Sequence, residues 1–292
     1  MSKTGATAIG FLAIVMWGLL APLSKMAGDV PALQLLAMCF LIGGMVGVAS
    51  WPFRPQAIAT LTTQKWQVWA LNVGALFGCH FLYFLAARNA PIVEVSLISY
   101  LWPLFIVVFT ALMPGEHLRW YHLLGVALGL FGLFFVVSKG QGFSFANGLQ
   151  LGHIIAVPYA LTWAAFSVAI RKYGDVPSDV VAGFCFACAG LSGICHFALE
   201  TTLWSLSSQQ WFAVIGLGLL PMGSAFYAWD FGMKHGDRMV LGAMSYVAPL
   251  LSTVILIAAG FAAYHWSIAA GCLLIIIGAL TAAKDTIFYK TI

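Results

Sequence analysis

Four of the eleven tryptophans are not explained simply by an interfacial belt, Trp17, Trp102, Trp163 and Trp229, and of these Trp17 and Trp163 lie well inside the apolar runs that hold them. The other seven, Trp51, Trp66, Trp69, Trp120, Trp204, Trp211 and Trp266, lie at run ends, where an interfacial aromatic belt accounts for them. An indole deep in an apolar helix either packs between helices or faces a cavity. A wall of indoles stacks well on aromatic or bulky apolar solutes. Binding such a solute is the chemistry these residues could do.

Polar groups lie close to them in sequence. Ser99-Tyr100-Leu101-Trp102-Pro103 and Ser245-Tyr246-Val247-Ala248-Pro249 each place a tyrosine three residues before a proline. Proline inside a helix frees a carbonyl, which in a bilayer must face protein or a wet cavity. Pro22, Pro103, Pro158, Pro221 and Pro249 are predicted to kink five helices, around a central path or simply in packing. In Cys79-His80-Phe81-Leu82-Tyr83, His80 and Tyr83 share one helix face. A lone histidine there serves either as a structural hydrogen-bonder or as a solute contact. The expectation is one cavity lined by Trp17, His80, Tyr83, Tyr100, Trp102, Trp163 and Tyr246. Freed carbonyls, tyrosine hydroxyls and His80 would bond an ammonium and a carboxylate, and scarce fixed charge suits a net-neutral zwitterion.

Several chemistries are excluded. No Ser/His/Asp set, histidine-rich metal pattern or intramembrane acid pair is present, so no catalytic residue, metal or cofactor is expected. Cys185-x-x-Cys188 lacks the second pair a zinc site needs, and all six cysteines lie in apolar runs as small buried hydrophobes. No acidic or basic residue sits near the centre of a run, and Asp230 falls in the last turns of the eighth span. Proton coupling needs a group that changes protonation between the two faces. Its absence predicts facilitated movement, and His80, a side chain that titrates near neutrality, is the residue that could overturn this.

The elements that must position these residues follow from composition. The 292 residues are 62% hydrophobic and 8% charged, with a mean hydropathy of +0.97. A soluble domain carries about 25% charged residues, so apolar surface on this scale calls for lipid. The net charge of +4 is dispersed between the runs, which argues against a nucleic-acid partner. Uncharged stretches cover Thr4–Ser24, Val30–Phe53, Trp66–Ala87, Val95–Gly115, Trp120–Ser138, Gly140–Ile170, Val180–Leu199, Thr201–Trp229 and Met239–Ala283. The first is too long and too poor in cleavage signals for a signal peptide. The last is long enough for two spans, which predicts an all-α membrane protein of ten transmembrane helices.

The runs repeat. Sliding the chain by 146 residues, half of 292, puts Trp17 on Trp163, Lys25 on Arg171 and Gly28-Asp29-Val30-Pro31 on Gly174-Asp175-Val176-Pro177. The same offset matches Arg88 with Lys234, Ser99-Tyr100 with Ser245-Tyr246, Pro103-Leu104 with Pro249-Leu250, Trp120 with Trp266, Gly125 with Gly271 and Gly132 with Gly278. Trp17 and Trp163 would then face each other across a pseudo-two-fold axis. Tyr83 matches Trp229 and His80 matches Phe226, so the symmetry breaks where an asymmetric solute would need it to. Two halves are expected, residues 1–146 and 147–292, with a turn near Tyr264 between the last two helices. Five helices per half is odd, so the second half is inverted, as in secondary transporters.

Lys and Arg give the orientation. Lys3, Arg54, Lys65, Arg119, Arg171, Lys172, Lys234, Arg238, Lys284 and Lys290 fall on one side, against Lys25, Arg88 and Lys139 on the other. Both termini are therefore expected in the cytoplasm. Gly125-x-x-x-Gly129 in the fifth helix is a close-packing pattern. It suggests a peripheral helix at a subunit contact, hence a homodimer.

Two inverted five-helix halves with Trp17-Gly18 and Pro22 in helix one, a terminal-helix glycine series and the Pro103/Pro249 pair resemble the drug/metabolite transporter superfamily with EamA-type repeats. More narrowly, Met16-Trp17-Gly18 and Ser99-Tyr100-Leu101-Trp102-Pro103-Leu104 resemble YddG-type aromatic amino-acid exporters. That resemblance implies export of aromatic and other neutral amino acids by alternating access across a bacterial cytoplasmic (inner) membrane. Members of the superfamily share these motifs while moving other metabolites or lipophilic drugs.

Overall fold

The computed structural model describes residues 1–49, 51–53, 56–90, 95, 98–115, 118–138, 149–261, 263–282 and 284. Every regular element among the described residues is helical. Six stretches are long and apolar enough to cross a membrane: Lys3–Ala27, Trp66–Arg88, Leu151–Tyr173, Ser178–Leu199, Ser208–His235 and Arg238–Ala258. Four shorter apolar helices, Ala32–Val48, Trp102–Ala111, Trp120–Phe135 and Trp266–Ala282, accompany them. This is a multi-pass membrane protein. The expected junction at residue 146 lies outside the described residues, as do Arg54, Lys139 and Lys290 of the charges that set the orientation.

Three prolines interrupt their spans in the same way. Proline lacks an N–H and its ring clashes with the carbonyl four residues back, which here belongs to Gly18, Ser99 and Ser245. The first span accordingly divides into α1 (Lys3–Trp17) and α2 (Leu20–Ala27), with Pro22 in the first turn of α2. Pro103 likewise stands in the first turn of α6 (Trp102–Ala111), after a turn at Tyr100 and Leu101. Before Pro249 the chain breaks at Ser245 and Tyr246, between α12 (Arg238–Met244) and α13 (Val247–Ala258). Pro221 has a different effect. It lies in a π-helical turn, Leu220–Ser224, that joins α10 (Ser208–Leu219) to α11 (Ala225–His235). Pro158 remains inside the uninterrupted α8 (Leu151–Ala169).

The remaining helices are α3 (Ala32–Val48), the short α4 (Ala57–Thr62), α5 (Trp66–Arg88), α7 (Trp120–Ser138), α9 (Val181–Leu199) and α14 (Trp266–Ala282). The connection between α13 and α14 contains Tyr264, and Gly260 turns there with φ 74°. Small residues decide which helices touch, because without a hydrophobic drive in lipid close backbone approach supplies the packing. Helix α1 crosses α11 at Gly10 and Gly232, and α5 meets α8 where Gly152 faces Ala86 and Ala90. Helix α3 lies on α9, with Gly44 against Phe186 and Gly47 against Ala182.

The fifth-helix glycines are used inside the chain. A Cβ at Gly125 would stand 2.6 Å from the carbonyl oxygen of Gly278, and one at Gly132 2.7 Å from that of Gly271. Gly129 leaves room for the ring of Tyr246. The stripe expected to serve a subunit contact is therefore occupied by α14 and α13's lead-in residue, not free for a second copy. The periodicity of a close-packing stripe marks a near backbone but does not say whose.

Candidate functional site

The breaks and crossings bring α1, α6, α8 and α11 together at the centre of the bundle, and each delivers one indole. Among Trp17, Trp102, Trp163 and Trp229 every pair of ring centroids lies between 5.0 and 6.5 Å apart. Most pairs meet edge to face, while Trp163 and Trp229 stack with 20° between their planes. Edge-to-face contact sets a ring's positive rim against its neighbour's negative face, each pair worth about 0.5–1.5 kcal/mol beyond burial. Two of the indole N–H groups bond to partners outside the stack. Trp229 donates to the hydroxyl of Ser167 at 3.1 Å, and Trp17 donates to the carbonyl of Pro221 in the π-helical turn at 3.1 Å. Trp102, Trp163 and Trp229 are buried, and Trp17 is half-buried.

The expected cavity residues do not all converge. Trp17, Trp102 and Trp163 belong to this centre. His80 sits one ring away, edge-on to Phe40 at 5.4 Å and to Phe226 at 6.1 Å, and Phe226 in turn lies 6.3 Å from Trp163. Its Nδ1 is 2.7 Å from the Leu76 carbonyl, which can only accept, so Nδ1 carries the hydrogen. Tyr83 pairs with Tyr159 at 5.7 Å and packs with a small cluster around Ala86, Val95 and Ala156. Tyr246 lies in a second core formed by α6, α7, α12, α13 and α14, with Val107, Val126, Leu133 and Ile275, while Tyr100 packs against that core and also neighbours Tyr83 and Tyr159. Tyr246 is fully buried there. Gly129, lacking a Cβ, opens a recess that the Tyr246 ring fills.

The structure adds residues that the cavity list omitted. Trp229 completes the indole cluster. Beside it, Asn72, Phe166, Phe226 and Asp230 join Trp163 and Trp229 around a crevice of about 10 Å³, roughly the room of one water molecule. Asp230 is only 4% exposed. Its Oδ2 accepts from Ser178 Oγ at 2.6 Å and from Lys234 Nζ at 2.8 Å, and Lys234 also donates to the Val176 carbonyl at 2.9 Å. One signal for this pair was present in sequence. Asp230 and Lys234 stand one helical turn apart, directly after Trp229 and at the close of an apolar run. Among the described residues no group of His, Cys, Asp and Glu could hold a metal ion.

Comparison with known proteins agrees with this architecture. Residues 4–138 match the EamA-like transporter family. The chain is 46% identical over 283 residues to an aromatic amino acid exporter YddG of Ancylobacter novellus, covering 97% of this chain and 98% of that protein. It is 25% identical to the aromatic amino acid exporter YddG of Salmonella typhimurium, over 87% of this chain and 88% of the relative. A crystal structure with 44% sequence identity superposes with a TM-score of 0.91, covering 99% of this chain and 100% of the other. The chain belongs to the EamA-like transporters of the drug/metabolite transporter superfamily, and it is a membrane transporter, not an enzyme.

Proposed function

We propose that this protein exports aromatic and other neutral amino acids from the cytoplasm. The observation that carries this reading is the four-indole centre, assembled from α1, α6, α8 and α11. Stacked aromatic faces bind aromatic side chains and hold no charge that would repel a zwitterion. The two relatives named as aromatic amino acid exporters point the same way.

Transport proceeds by alternating access between two inverted halves of five spans each, residues 1–146 and 147–292, in a bacterial inner membrane. Exchange symmetry of the helix packing supports this reading. Helix α1 packs on α11 as α8 packs on α5, and each pair converts to the other under the 146-residue shift (half of 292). The contacts α3 with α9 and α7 with α14 convert to themselves. Ten spans with both termini cytoplasmic predict that single cysteines at Gln56 and Lys172 react with an impermeant thiol reagent from the cytoplasmic side, and one at Thr201 from outside. Labelling of Gln56 and Lys172 from opposite faces would end the inverted arrangement.

Movement is facilitated, not driven by protons: Asp230, which borders the crevice beside Trp163 and Trp229, is already paired with Lys234. Counterflow of radiolabelled phenylalanine, tyrosine and tryptophan in proteoliposomes tests the substrate class, and equal exchange of a lipophilic dye would move the assignment to drugs. Flux under an imposed pH gradient tests the driving force. Uphill accumulation collapsed by a protonophore would overturn facilitation and direct attention to His80 or Asp230.

A further inference from the structure

Two of the divided spans lie against each other. Helix α1 packs on α11, and α2 packs on α10. Each packed pair is closed by contacts of its own. Between α1 and α11, Gly10 and Gly232 bring the backbones together. At the end of that pair the Asp237 N–H, just past α11, donates to Thr7 Oγ1 at 2.8 Å, and Lys3 Nζ meets Asp237 Oδ2 at 2.8 Å. Between α2 and α10, Leu23 fills the space over Gly216. Gln209 Nε2 donates to the Met26 carbonyl at 3.4 Å, and Gln210 Nε2 donates to Asp29 Oδ1 at 2.7 Å. The four segments thus form two blocks, α1 with α11 and α2 with α10, that meet end to end.

They meet at two joints, Gly18-Leu19 in the first span and the π-helical turn Leu220–Ser224 between α10 and α11. A π-helical turn interrupts the regular hydrogen-bond ladder and is a place where helices bend. Trp17, the last residue of α1, donates its Nε1–H to the Pro221 carbonyl within that turn at 3.1 Å, so one side chain spans both joints. At Gly43 the neighbouring α3 presents no side chain to wedge the turn, since a Cβ there would stand 2.7 Å from the Met222 carbonyl oxygen. The repeat-related couple, α5 with α8, has neither joint, and both of its helices run unbroken. The positions 146 residues (half of 292) from Gly18, Pro22, Pro221 and Gly223 are Ala164, Val168, Ala75 and Phe77. Two breaks set side by side therefore occur in one couple and not in its counterpart.

We infer that the two joints act as one hinge, pinned by the Trp17 indole, about which α2 and α10 swing together as a lid while α1 and α11 stay paired. This rests on the alternating-access reading above and gives the motion a place: the α1–α2 and α10–α11 couple bends, and the α5–α8 couple does not. Lys25 on α2 holds the lid down. Its Nζ donates to the Phe261 carbonyl at 3.0 Å and stands 5.1 Å over the Phe261 ring, in the connection between α13 and α14. Swinging the lid away breaks that contact and leaves the bonds between α2 and α10 intact. A solute ring seated among the indoles touches the pin itself, so occupancy of the centre bears on the hinge directly.

The test is radiolabelled phenylalanine counterflow by the full-length protein in proteoliposomes, before and after treatment with a short bifunctional thiol reagent, with the treated wild type as reference. Met26→Cys with Gln209→Cys links α2 to α10 inside the lid and should leave the rate within about 2-fold, because the linked helices move together. Lys25→Cys with Phe261→Cys fastens the lid to the α13–α14 connection and should slow counterflow about 10-fold or more, with recovery when a cleavable linker is cut. Loss of counterflow on linking Met26 to Gln209, or its survival on linking Lys25 to Phe261, overturns the lid. The pin is tested without a cross-link. Trp17→benzothienylalanine keeps the fused rings and removes only the N–H. It should lower the maximal rate several-fold while moving the half-saturating phenylalanine concentration less than about 2-fold, as expected for a conformational step. A change confined to half-saturation would make Trp17 a solute contact alone and remove the pin. Absence of phenylalanine counterflow in the untreated wild type would instead remove the export reading on which the hinge rests.

Discussion

Arg88 and Lys234, which the repeat offset matches, stand in the last turns of α5 and α11, and each pairs with a carboxylate. The surroundings differ. Arg88 reaches Glu200 Oε1 at 2.9 Å, with its own side chain 57% exposed. Glu200 Oε2 accepts from the backbone N–H groups of Leu33 at 3.0 Å and Gln34 at 3.3 Å in the first turn of α3, and it lies 3.0 Å from His196 Nδ1. At the other end Lys234 and Asp230 are 2.8 Å apart and both almost fully buried, with Ser178 before α9 as the third member. Glu200 thereby ties the end of α5 to the start of α3, and Ser178 and the Val176 carbonyl tie α11 to the residues before α9. One anchor is wet at its cation, while the other is dry at both charges and is completed by Ser178 and the Val176 carbonyl. What separates the two ends is solvent, which reaches Arg88 and not Lys234.

That comparison can be broken by substitution. Lys234→Met leaves a buried carboxylate with Ser178 alone and should cost about 3–5 kcal/mol, read as a large drop in the thermal unfolding temperature in detergent. Adding Asp230→Asn should recover most of the loss, since an uncharged pair carries no desolvation debt. Glu200→Gln keeps an acceptor for Leu33 and Gln34 but removes the charge that Arg88 and the α3 amino terminus share, an effect of about 2 kcal/mol. Arg88→Met is the smallest, below about 1 kcal/mol, because Glu200 keeps its other partners and the guanidinium was mostly in water. The Arg88 effect should vanish in high salt while the Lys234 effect persists. Equal losses at Arg88 and Lys234, at any ionic strength, would show that burial does not separate the two ends.

Much of this architecture was legible as pattern. Charge-free runs locate the apolar helices, because lipid tolerates neither unpaired backbone nor unpaired charge. The repeat offset placed Trp17 opposite Trp163, and their rings meet at 5.8 Å. Proline identified three helix breaks, but Pro158 shows that local chemistry permits a break without dictating one. What the sequence left hidden was direction. Tyr246 shares its Ser-Tyr-x-x-Pro setting with Tyr100, yet whether such a ring enters a cavity or a packing recess depends on Gly129 in another helix. Asp230 was visible as a charge at a helix end, whereas its burial depends on Ser178 and Val176, far away along the chain. Even the identical Gly-Asp-Val-Pro segments diverge: Gly28 takes φ 61° to close α2, and Gly174 stays right-handed at φ −58° after a 3₁₀ turn.

Four indoles held 5.0–6.5 Å apart also form a single optical unit. Coupling between transition dipoles falls with the cube of their separation, so at this spacing the strong far-ultraviolet transitions of the indoles couple, and the far-ultraviolet circular dichroism is expected to carry an exciton couplet. Any motion that parts one of the four helices from the rest weakens that couplet at once. The centre of the transporter is therefore its own spectroscopic probe, and the opening of the bundle can be timed in the unlabelled protein.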